Sequence, residues 1–210
     1  MSTVFVTGAT GGFGPTLVEQ LQAAGHRVVP VGRAELASPE AFSKLLGEHQ
    51  PDGAVLVAGG WKGGKRFHED ESGEIWRAMM ESNLETARVA LHALLPGMVE
   101  RKRGSIVVVG SRAAARPWES ANAAAYAASK AALLGLVKAA AAEVLADGVR
   151  LNVVHPSTID TAGNRAAMPK ADFGKWVTPE SLSGVVAFLL SDAARDISGA
   201  EIPVYGRVGV

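Results

Sequence analysis

The sequence contains no cysteine among its 210 residues, which excludes disulfide bonds and thiolate chemistry. A chain without cysteine fits a reducing compartment, and we expect a cytoplasmic location. Neither sign of charge dominates, because 21 Lys and Arg residues balance 21 Asp and Glu residues. This balance gives no whole-surface attraction to nucleic acid or to an anionic membrane, so neither is an expected partner.

Long apolar runs are missing as well. The most apolar region begins at Ala121 and is interrupted by Lys130 and Lys138, so no membrane span is expected. The chain enters the apolar segment Val4–Val6 without a basic leader, so no signal peptide is expected. The five histidines show no metal-ligand spacing, and no metal site is predicted.

Short β-branched runs alternate with longer amphipathic stretches. The runs predict strands at Val4–Val6, Arg27–Val31, Ala54–Val57, Ser105–Val109, Val149–Val154 and Glu201–Val204. The stretches predict helices at Pro39–His49, Glu74–Arg101, Ala123–Ala146 and Thr178–Leu190, and a first helix with Phe13, Leu17, Val18 and Leu21 on one face.

This alternation predicts an α/β fold with a Rossmann-type, doubly wound parallel β-sheet and helices on both faces. Several of the strands are apolar on both sides, as buried parallel strands are. No linker or internal repeat is visible, so residues 1–210 are interpreted as a single domain. The sheet is shortened between strands two and four, that is, between Arg27–Val31 and Ala54–Val57. The third strand expected there is a short one at Ala34–Leu36.

A glycine-rich segment joins the first strand to the first helix and reads Thr7-Gly8-Ala9-Thr10-Gly11-Gly12-Phe13-Gly14. Glycines let a backbone turn sharply and approach a pyrophosphate, while the helix N-terminus offers it free N–H groups. This position predicts dinucleotide binding. The alternative is a tight strand-to-helix turn without a ligand.

The spacing Thr-Gly-x-x-x-Gly-x-Gly resembles that of the short-chain dehydrogenase/reductase family, and further matches follow in order. They are Val57-Ala58-Gly59-Gly60 in place of the family's Asn-Asn-Ala-Gly, the helix asparagine Asn83, the post-strand serine Ser111, Tyr126-x-x-x-Lys130, and Pro156-Ser157-x-x-x-Thr161. The resemblance implies an NAD(P)H-dependent oxidoreductase. It also implies cofactor contacts from Gly8, Thr10, Gly12, Phe13, Gly14, Ala58, Gly59, Gly60, Tyr126, Lys130, Pro156, Thr158 and Thr161.

Four side chains form the catalytic set that the resemblance implies. Tyr126 and Lys130 lie one helical turn apart, so the ammonium is expected to lower the pKa of the phenol, which donates a proton to the substrate. Ser111 is expected to hydrogen-bond the same substrate atom, and Asn83 to hold a water molecule that links Lys130 to solvent. The alternatives are a strand-end turn serine and an asparagine that satisfies helix backbone.

The residues after the second strand bear on the choice of cofactor. Val31-Gly32-Arg33 has no acidic residue for a ribose 2′-hydroxyl, whereas Arg33 suits a 2′-phosphate. We therefore favour NADP(H). The nearby Glu35 keeps NAD(H) open, and Arg33 as a solvated surface arginine is the alternative.

Two segments, Val57–Gly64 and Pro156–Trp176, resemble those of dihydropteridine reductases, which reduce a quinonoid dihydropterin. Trp61 is expected to cover a flat ring, and a loop or lid at about 156–177 to close over it with Asn164, Phe173 and Trp176. Loop anchoring is the alternative for Trp61 and Trp176. Ser111 keeps ordinary ketones and aldehydes open as substrates, or alcohols in the reverse direction, and a non-catalytic dinucleotide sensor is the alternative from another class.

Two helices have few polar positions for a surface location. The helix that carries Tyr126 has alanines on every face, and much of Leu84–Val99 is also apolar. Helices that cover a sheet keep a polar outer face in a monomer. We therefore expect a homodimer or homotetramer built on this helix pair.

Overall fold

A parallel sheet of six strands forms the centre of the computed structural model, which describes residues 2–208. The strands are β1 (Thr3–Thr7), β2 (Arg27–Val31), β3 (Gly53–Leu56), β4 (Gly104–Val109), β5 (Val149–Pro156) and β6 (Glu201–Val204). They lie in the order β2-β1-β3-β4-β5-β6, and every neighbouring pair is parallel. The predicted fold class is confirmed.

Helices connect the strands. They are α1 (Gly14–Ala23), α2 (Arg33–Ala37), α3 (Pro39–His49), α4 (Glu74–Met79), α5 (Thr86–Glu100), α6 (Arg112–Ala115), α7 (Ala124–Glu143), α8 (Ala162–Ala167) and α9 (Pro179–Leu190). Short 3₁₀ turns lie at Phe67–Glu69, Pro117–Glu119, Leu145–Asp147, Phe173–Lys175 and Asp192–Ala194. A π-helical segment, Met80–Glu85, joins α4 to α5.

Two helix starts follow directly from capping chemistry. The hydroxyl of Ser38 accepts a hydrogen bond from the N–H of Ala41 at 3.2 Å, and that of Thr178 accepts one from Ser181 at 3.2 Å. In each case proline occupies the first helical turn, where its missing N–H costs nothing. The first of these helices spans Pro39–His49, so the prediction for it is confirmed at both ends.

The core is divided between the two faces of the sheet by the strand period of two. On β1, Val4 and Val6 belong to an apolar cluster with Leu17 of α1 and Leu182 of α9. Phe5, between them, belongs to the opposite cluster, which contains residues of α5 and α7. Helices cover both faces, as the doubly wound prediction requires.

The short strand predicted at Ala34–Leu36 is wrong, because these residues lie in α2. The N–H of Gly32 donates to Glu35 Oε2 at 2.9 Å, and that of Leu36 donates to the Gly32 carbonyl at 3.2 Å. Alanine, glutamate and leucine are strong helix formers, and this segment has no β-branched residue to oppose them. β2 is consequently an edge strand.

The sheet topology locates the ligand-binding crevice. β1 lies between β2 and β3, so the connections that follow β1 and β3 run to opposite sides. In open α/β sheets such a switch point leaves a crevice at the carboxyl ends of the strands. No helix within residues 2–208 has both the length and the apolarity needed to cross a bilayer.

Candidate active site

The glycine-rich turn after β1 is held against the end of β3. Thr7 Oγ1 accepts hydrogen bonds from the N–H groups of Val57 and Ala58, both at 3.1 Å. Gly8 has a φ of +69°, and a Cβ there would lie 2.9 Å from the Ala58 nitrogen. Only glycine fits this left-handed, crowded position, so the turn and residues 57–60 form one unit.

Gly14 lets α1 begin close to this turn. A Cβ on Gly14 would lie 2.3 Å from the Ala9 carbonyl oxygen. A Cβ on Gly12 would meet the side chain of Thr161 at 3.2 Å, which brings the loop after β5 beside the turn. Thr10 and Gly12 are exposed, whereas the Phe13 ring is buried in the core. Only the backbone of Phe13 is therefore available to a cofactor.

Arg33 and Glu35 differ in their hydrogen bonding and exposure. The Glu35 carboxylate accepts the Gly32 N–H and so caps α2. Arg33 opens the same helix and is exposed. Its position just beyond β2 lies at the same sheet edge as the glycine-rich turn, because Val31 pairs with Thr7.

Tyr126 and Lys130 lie on α7, with Tyr126 in contact with Ser111 at the end of β4. The phenol and the Ser111 side chain line the same cleft. Burial raises the pKa of Tyr126 above its usual value, and the nearby Ser111 side chain offsets only part of that rise. The expected lowering of the phenol pKa by Lys130 is therefore wrong for the protein alone, because desolvation dominates.

Lys130 is almost completely buried. Its Nζ donates to the Val109 carbonyl at 2.9 Å, and burial lowers the pKa of Lys130 to about 8. An ammonium has three donors, so two remain for other partners. At neutral pH the side chain is still mostly charged.

Asn83 lies in the π-helical segment and is completely buried. Its Oδ1 accepts the Gly60 N–H at 2.9 Å, and its Nδ2 donates to the Gly60 carbonyl and to Ser129 Oγ, both at 3.1 Å. The amide therefore ties the loop after β3 to α7. This contact set fits a structural clamp, and the water-holding role remains a prediction.

A cleft of about 670 Å³ brings these groups together at the carboxyl ends of the strands. Its lining includes the predicted residues Gly59, Gly60, Trp61, Asn83, Ser111, Tyr126, Lys130, Pro156, Thr158 and Asn164. Residues from the ends of β3, β4 and β5 and from α7 thus converge on one volume, although they are far apart in sequence.

The loop after β5 is ordered by its own polar contacts. Thr161 Oγ1 caps α8 by accepting from the Asn164 N–H at 3.2 Å, and Asn164 Nδ2 donates to the Ile159 carbonyl at 2.8 Å. The Arg165 guanidinium binds both Asp160 oxygens, at 2.6 and 2.7 Å. These bonds shape the wall of the cleft that Asn164 and Thr158 line.

The substrate contact predicted for Trp176 stays a prediction, because the ring is buried beside the cleft and not part of its described lining. Trp176 is 9% exposed, packs on Phe173 with ring centroids 4.8 Å apart, and does not belong to the described cleft lining. The adjacent Val177 pairs with Ile159 in a parallel bridge. The ring is therefore an anchor for the end of the loop. Trp61, by contrast, lines the cleft and is 66% exposed.

The sequence analysis missed three further residues at the site. His155 is buried at the end of β5 and its Nδ1 accepts the Ser111 N–H at 3.1 Å. Arg112 and Arg116 line the cleft, and both pair with Glu119, at 2.7 and 3.2 Å. The only sequence signal was position, since His155 directly precedes Pro156 and Arg112 directly follows Ser111.

A larger cavity of about 950 Å³ lies at the opposite edge of the sheet. It is lined by residues at the amino ends of the strands, among them Gly53, Gly104 and Val149. None of the predicted site residues borders it. Within residues 2–208 no group of three or more His, Asp or Glu side chains is arranged to hold a metal ion.

Comparison with known proteins places this geometry among reductases and dehydrogenases. Residues 16–206 match the family model described as enoyl-(acyl carrier protein) reductase. The chain is 32% identical to the 3-oxoacyl-(acyl-carrier-protein) reductase MabA of Mycobacterium tuberculosis. The alignment, gaps included, is 232 positions long and covers 99% of this chain and 93% of that protein.

Solved structures agree with this placement. An oxidoreductase of the short chain dehydrogenase/reductase family from Burkholderia thailandensis superposes with a TM-score of 0.87 at 32% identity, over 98% of this chain and 91% of that one. A protein named as a candidate NAD(P)-dependent gluconate 5-dehydrogenase from Beutenbergia cavernae, with NADP bound at low occupancy, superposes with a TM-score of 0.86 at 29% identity, over 98% and 95%.

Proposed function

This chain belongs to the short-chain dehydrogenase/reductase family of NAD(P)-dependent oxidoreductases, and we propose that it reduces the carbonyl group of a small substrate to an alcohol with NADPH. The observation that carries the proposal is the convergence of Tyr126 and Ser111 on one cleft, with Lys130 one turn along α7. The relatives named as 3-oxoacyl reductases support a 3-oxoacyl thioester as the first substrate to test.

The fit of a dinucleotide rests on the turn after β1. Gly8 and Gly14 let the turn pack tightly against the backbone of Ala58 and Ala9, and the exposed Thr10 and Gly12 lie at the same sheet edge as Arg33. Residues 57–60, Lys130, Pro156, Thr158 and Thr161 complete the cofactor site that we propose. When bound, the reduced nicotinamide supplies the hydride.

Proton donation is the task of Tyr126. Its raised pKa keeps the phenol protonated at neutral pH, so a proton is available as negative charge develops on the carbonyl oxygen. An alkoxide is a stronger base than a phenolate, so this transfer is downhill. The Ser111 hydroxyl orients the same oxygen, because it lines the same cleft as Tyr126.

Lys130 stabilises the charge that the proton transfer leaves on Tyr126. Its ammonium is oriented by the Val109 carbonyl and has donors left for the ribose hydroxyls of the cofactor. Asn83 is a positioning residue here, because it holds Gly60 and the Ser129 side chain of α7.

NADPH is proposed over NADH because of Arg33 and Glu35. The Glu35 carboxylate is used as the cap of α2, so it is not directed to a ribose hydroxyl. Arg33 is exposed at the cofactor edge, where a guanidinium forms charge-assisted bonds to a 2′-phosphate.

A quinonoid dihydropterin is the second candidate substrate, favoured by one observation. The Trp61 ring lines the cleft and is 66% exposed, so it offers an indole face to a flat ligand. In both cases residues 156–177 form the cover of the site and 1–210 form one catalytic domain.

The test is NADPH oxidation with acetoacetyl-coenzyme A, a ketone panel and chemically generated quinonoid dihydropterin. Turnover of a carbonyl substrate is expected, and Tyr126→Phe should reduce kcat by about 100-fold to 10,000-fold, the usual contribution of a general acid. NADPH binding, measured by fluorescence, should be retained. Unchanged turnover in Tyr126→Phe would remove this residue from the mechanism, and NADPH binding without any turnover would favour a dinucleotide sensor.

A further inference from the structure

His155 occupies a buried position behind the catalytic serine. It is the penultimate residue of β5, directly before Pro156, and is 1% exposed. Its Nδ1 accepts a hydrogen bond from the Ser111 N–H at 3.1 Å. Ser111 and the Tyr126 phenol line the same cleft, so the imidazole contacts the backbone that presents the neighbour of the proton donor.

The contact with Ser111 fixes the tautomer of His155. Because the backbone N–H can only donate, Nδ1 must present a lone pair, and the neutral ring then carries its proton on Nε2. Nε2 lies 3.6 Å from Glu201 Oε2 and has no hydrogen-bond partner in the described part of the chain. The ring is therefore hydrogen-bonded to the site through Nδ1 and lies beside the Glu201 carboxylate at Nε2.

Glycine makes this contact possible. A Cβ on Gly110 would lie 2.6 Å from His155 Nδ1, so only glycine leaves room for the ring beside the end of β4. The Gly110 N–H donates to the Val154 carbonyl at 2.8 Å, which sets the register of the two strands at this point. The imidazole is thus built into the junction that presents Ser111.

We propose that neutral His155 is a positioning residue that holds Ser111, and through it Tyr126, in the reactive arrangement, and that protonation of the ring releases them. This inference rests on the proposed function. In the imidazolium form Nδ1 becomes a donor and faces the Ser111 N–H donor at 3.1 Å, so the hydrogen bond turns into a repulsion. The backbone that presents the serine hydroxyl must then move.

The charges around the ring set the pH at which this happens. Burial lowers the pKa of His155 most strongly, Glu201 on β6 raises it, and Lys130 on α7 lowers it. Lys138 on α7 forms an ion pair with Glu201 at 2.6 Å and so weakens the influence of that carboxylate. The net effect is a pKa below the usual value of His, and the ring is neutral at pH 7.

Two variants of His155 separate positioning from packing. In His155→Asn the side-chain Oδ1 takes the place of Nδ1 as acceptor but does not titrate. In His155→Leu the acceptor is lost and the volume is roughly kept. We expect His155→Asn to retain near wild-type kcat at pH 7, and His155→Leu to lose about 10-fold in kcat with little change in the KM for NADPH.

The pH profile of kcat gives the direct test. The wild-type profile should fall on the acid side below pH 6.5, and this fall should be absent in His155→Asn. Glu201→Gln should move it to lower pH, because the carboxylate that favours the imidazolium is removed. Glu48→Gln, which removes an exposed carboxylate on α3, is the matched control and should leave the profile unchanged. An acid-side fall that persists unaltered in His155→Asn would overturn the proposal.

An NMR titration of the protein without substrate keeps this inference separate from the reductase assignment. The Ser111 amide and the His155 ring protons should titrate together, with a midpoint below that of a free histidine. A Ser111 amide that does not respond while His155 titrates would overturn the proposal whether or not a substrate is turned over. Absence of carbonyl reduction with coupled titration would instead contradict only the reductase function.

Discussion

At the scale of single residues, the proposed preference for NADPH rests on one exposed side chain, Arg33. Replacing it with alanine removes charge-assisted hydrogen bonds to a 2′-phosphate, each worth about 1.5–3 kcal/mol. We expect Arg33→Ala to raise the KM for NADPH by about 10-fold to 100-fold and to leave the KM for NADH nearly unchanged. Steady-state kinetics with both cofactors measures this.

Arg27→Ala is the control for that measurement. Arg27 is also exposed, but it lies at the amino end of β2, away from the cofactor edge. An equal rise for both variants, or an equal rise for both cofactors, would contradict the assignment of Arg33 to the phosphate.

Residue identity predicted the catalytic set, but not the state of its members. The spacing of Tyr126 and Lys130 places them on one helical face whatever surrounds them. Their pKa values depend on burial, which raises that of Tyr126 and lowers that of Lys130. Burial is a property of the folded chain, so the sequence pointed to the wrong direction for the phenol.

At the scale of elements, the start of α1 is the most constrained position. In Gly14→Ala the new Cβ would lie 2.3 Å from the Ala9 carbonyl oxygen, so helix and turn must separate. We expect a loss of about 1–3 kcal/mol in the free energy of unfolding and weaker NADPH binding. Urea denaturation and a fluorescence titration measure the two effects.

Gly47→Ala provides the matched control for Gly14→Ala. Gly47 lies in α3, is exposed, and a Cβ there meets nothing within 4 Å. This substitution should stabilise the protein by up to about 1 kcal/mol, because alanine favours a helix over glycine. Similar losses in both variants would mean that the crowding at Gly14 is not the cause.

Strand and helix positions were predicted well where the local pattern was strong. The β-branched runs matched all six strands to within two residues, since such runs suit a buried sheet without help from distant contacts. The prediction at 34–36 was wrong because the strand was assigned from the space between the neighbouring elements, against the helix propensity of its own residues. The π-helical segment at Met80–Glu85 also escaped prediction, since Asn83 is drawn to Gly60 by a contact across 23 positions.

At the scale of the whole molecule, the outer faces of α5 and α7 remain the basis for an oligomer prediction. Four of the exposed residues of α7 are Ala131, Ala132, Ala139 and Ala142. Lys138 and Glu143 of α7 and Arg88 and Glu100 of α5 are exposed as well, so the apolar patch that favours association is the one that these alanines form. We expect a dimer or tetramer by light scattering, and a smaller mass for Ala139→Glu. A wild-type mass equal to one chain would contradict this prediction.

The sequence by itself determined the fold class, the glycine-rich turn between β1 and α1 and the Tyr126–Lys130 pair, because each depends on periodicity or on short spacing. Tertiary structure alone decided which other side chains meet them. His155 reaches Ser111 across 44 positions because β4 and β5 are neighbours in the sheet, and Trp176 is buried because it packs on Phe173 beside the bridge at Val177. Such contacts arise from strand order and packing, which no local pattern encodes.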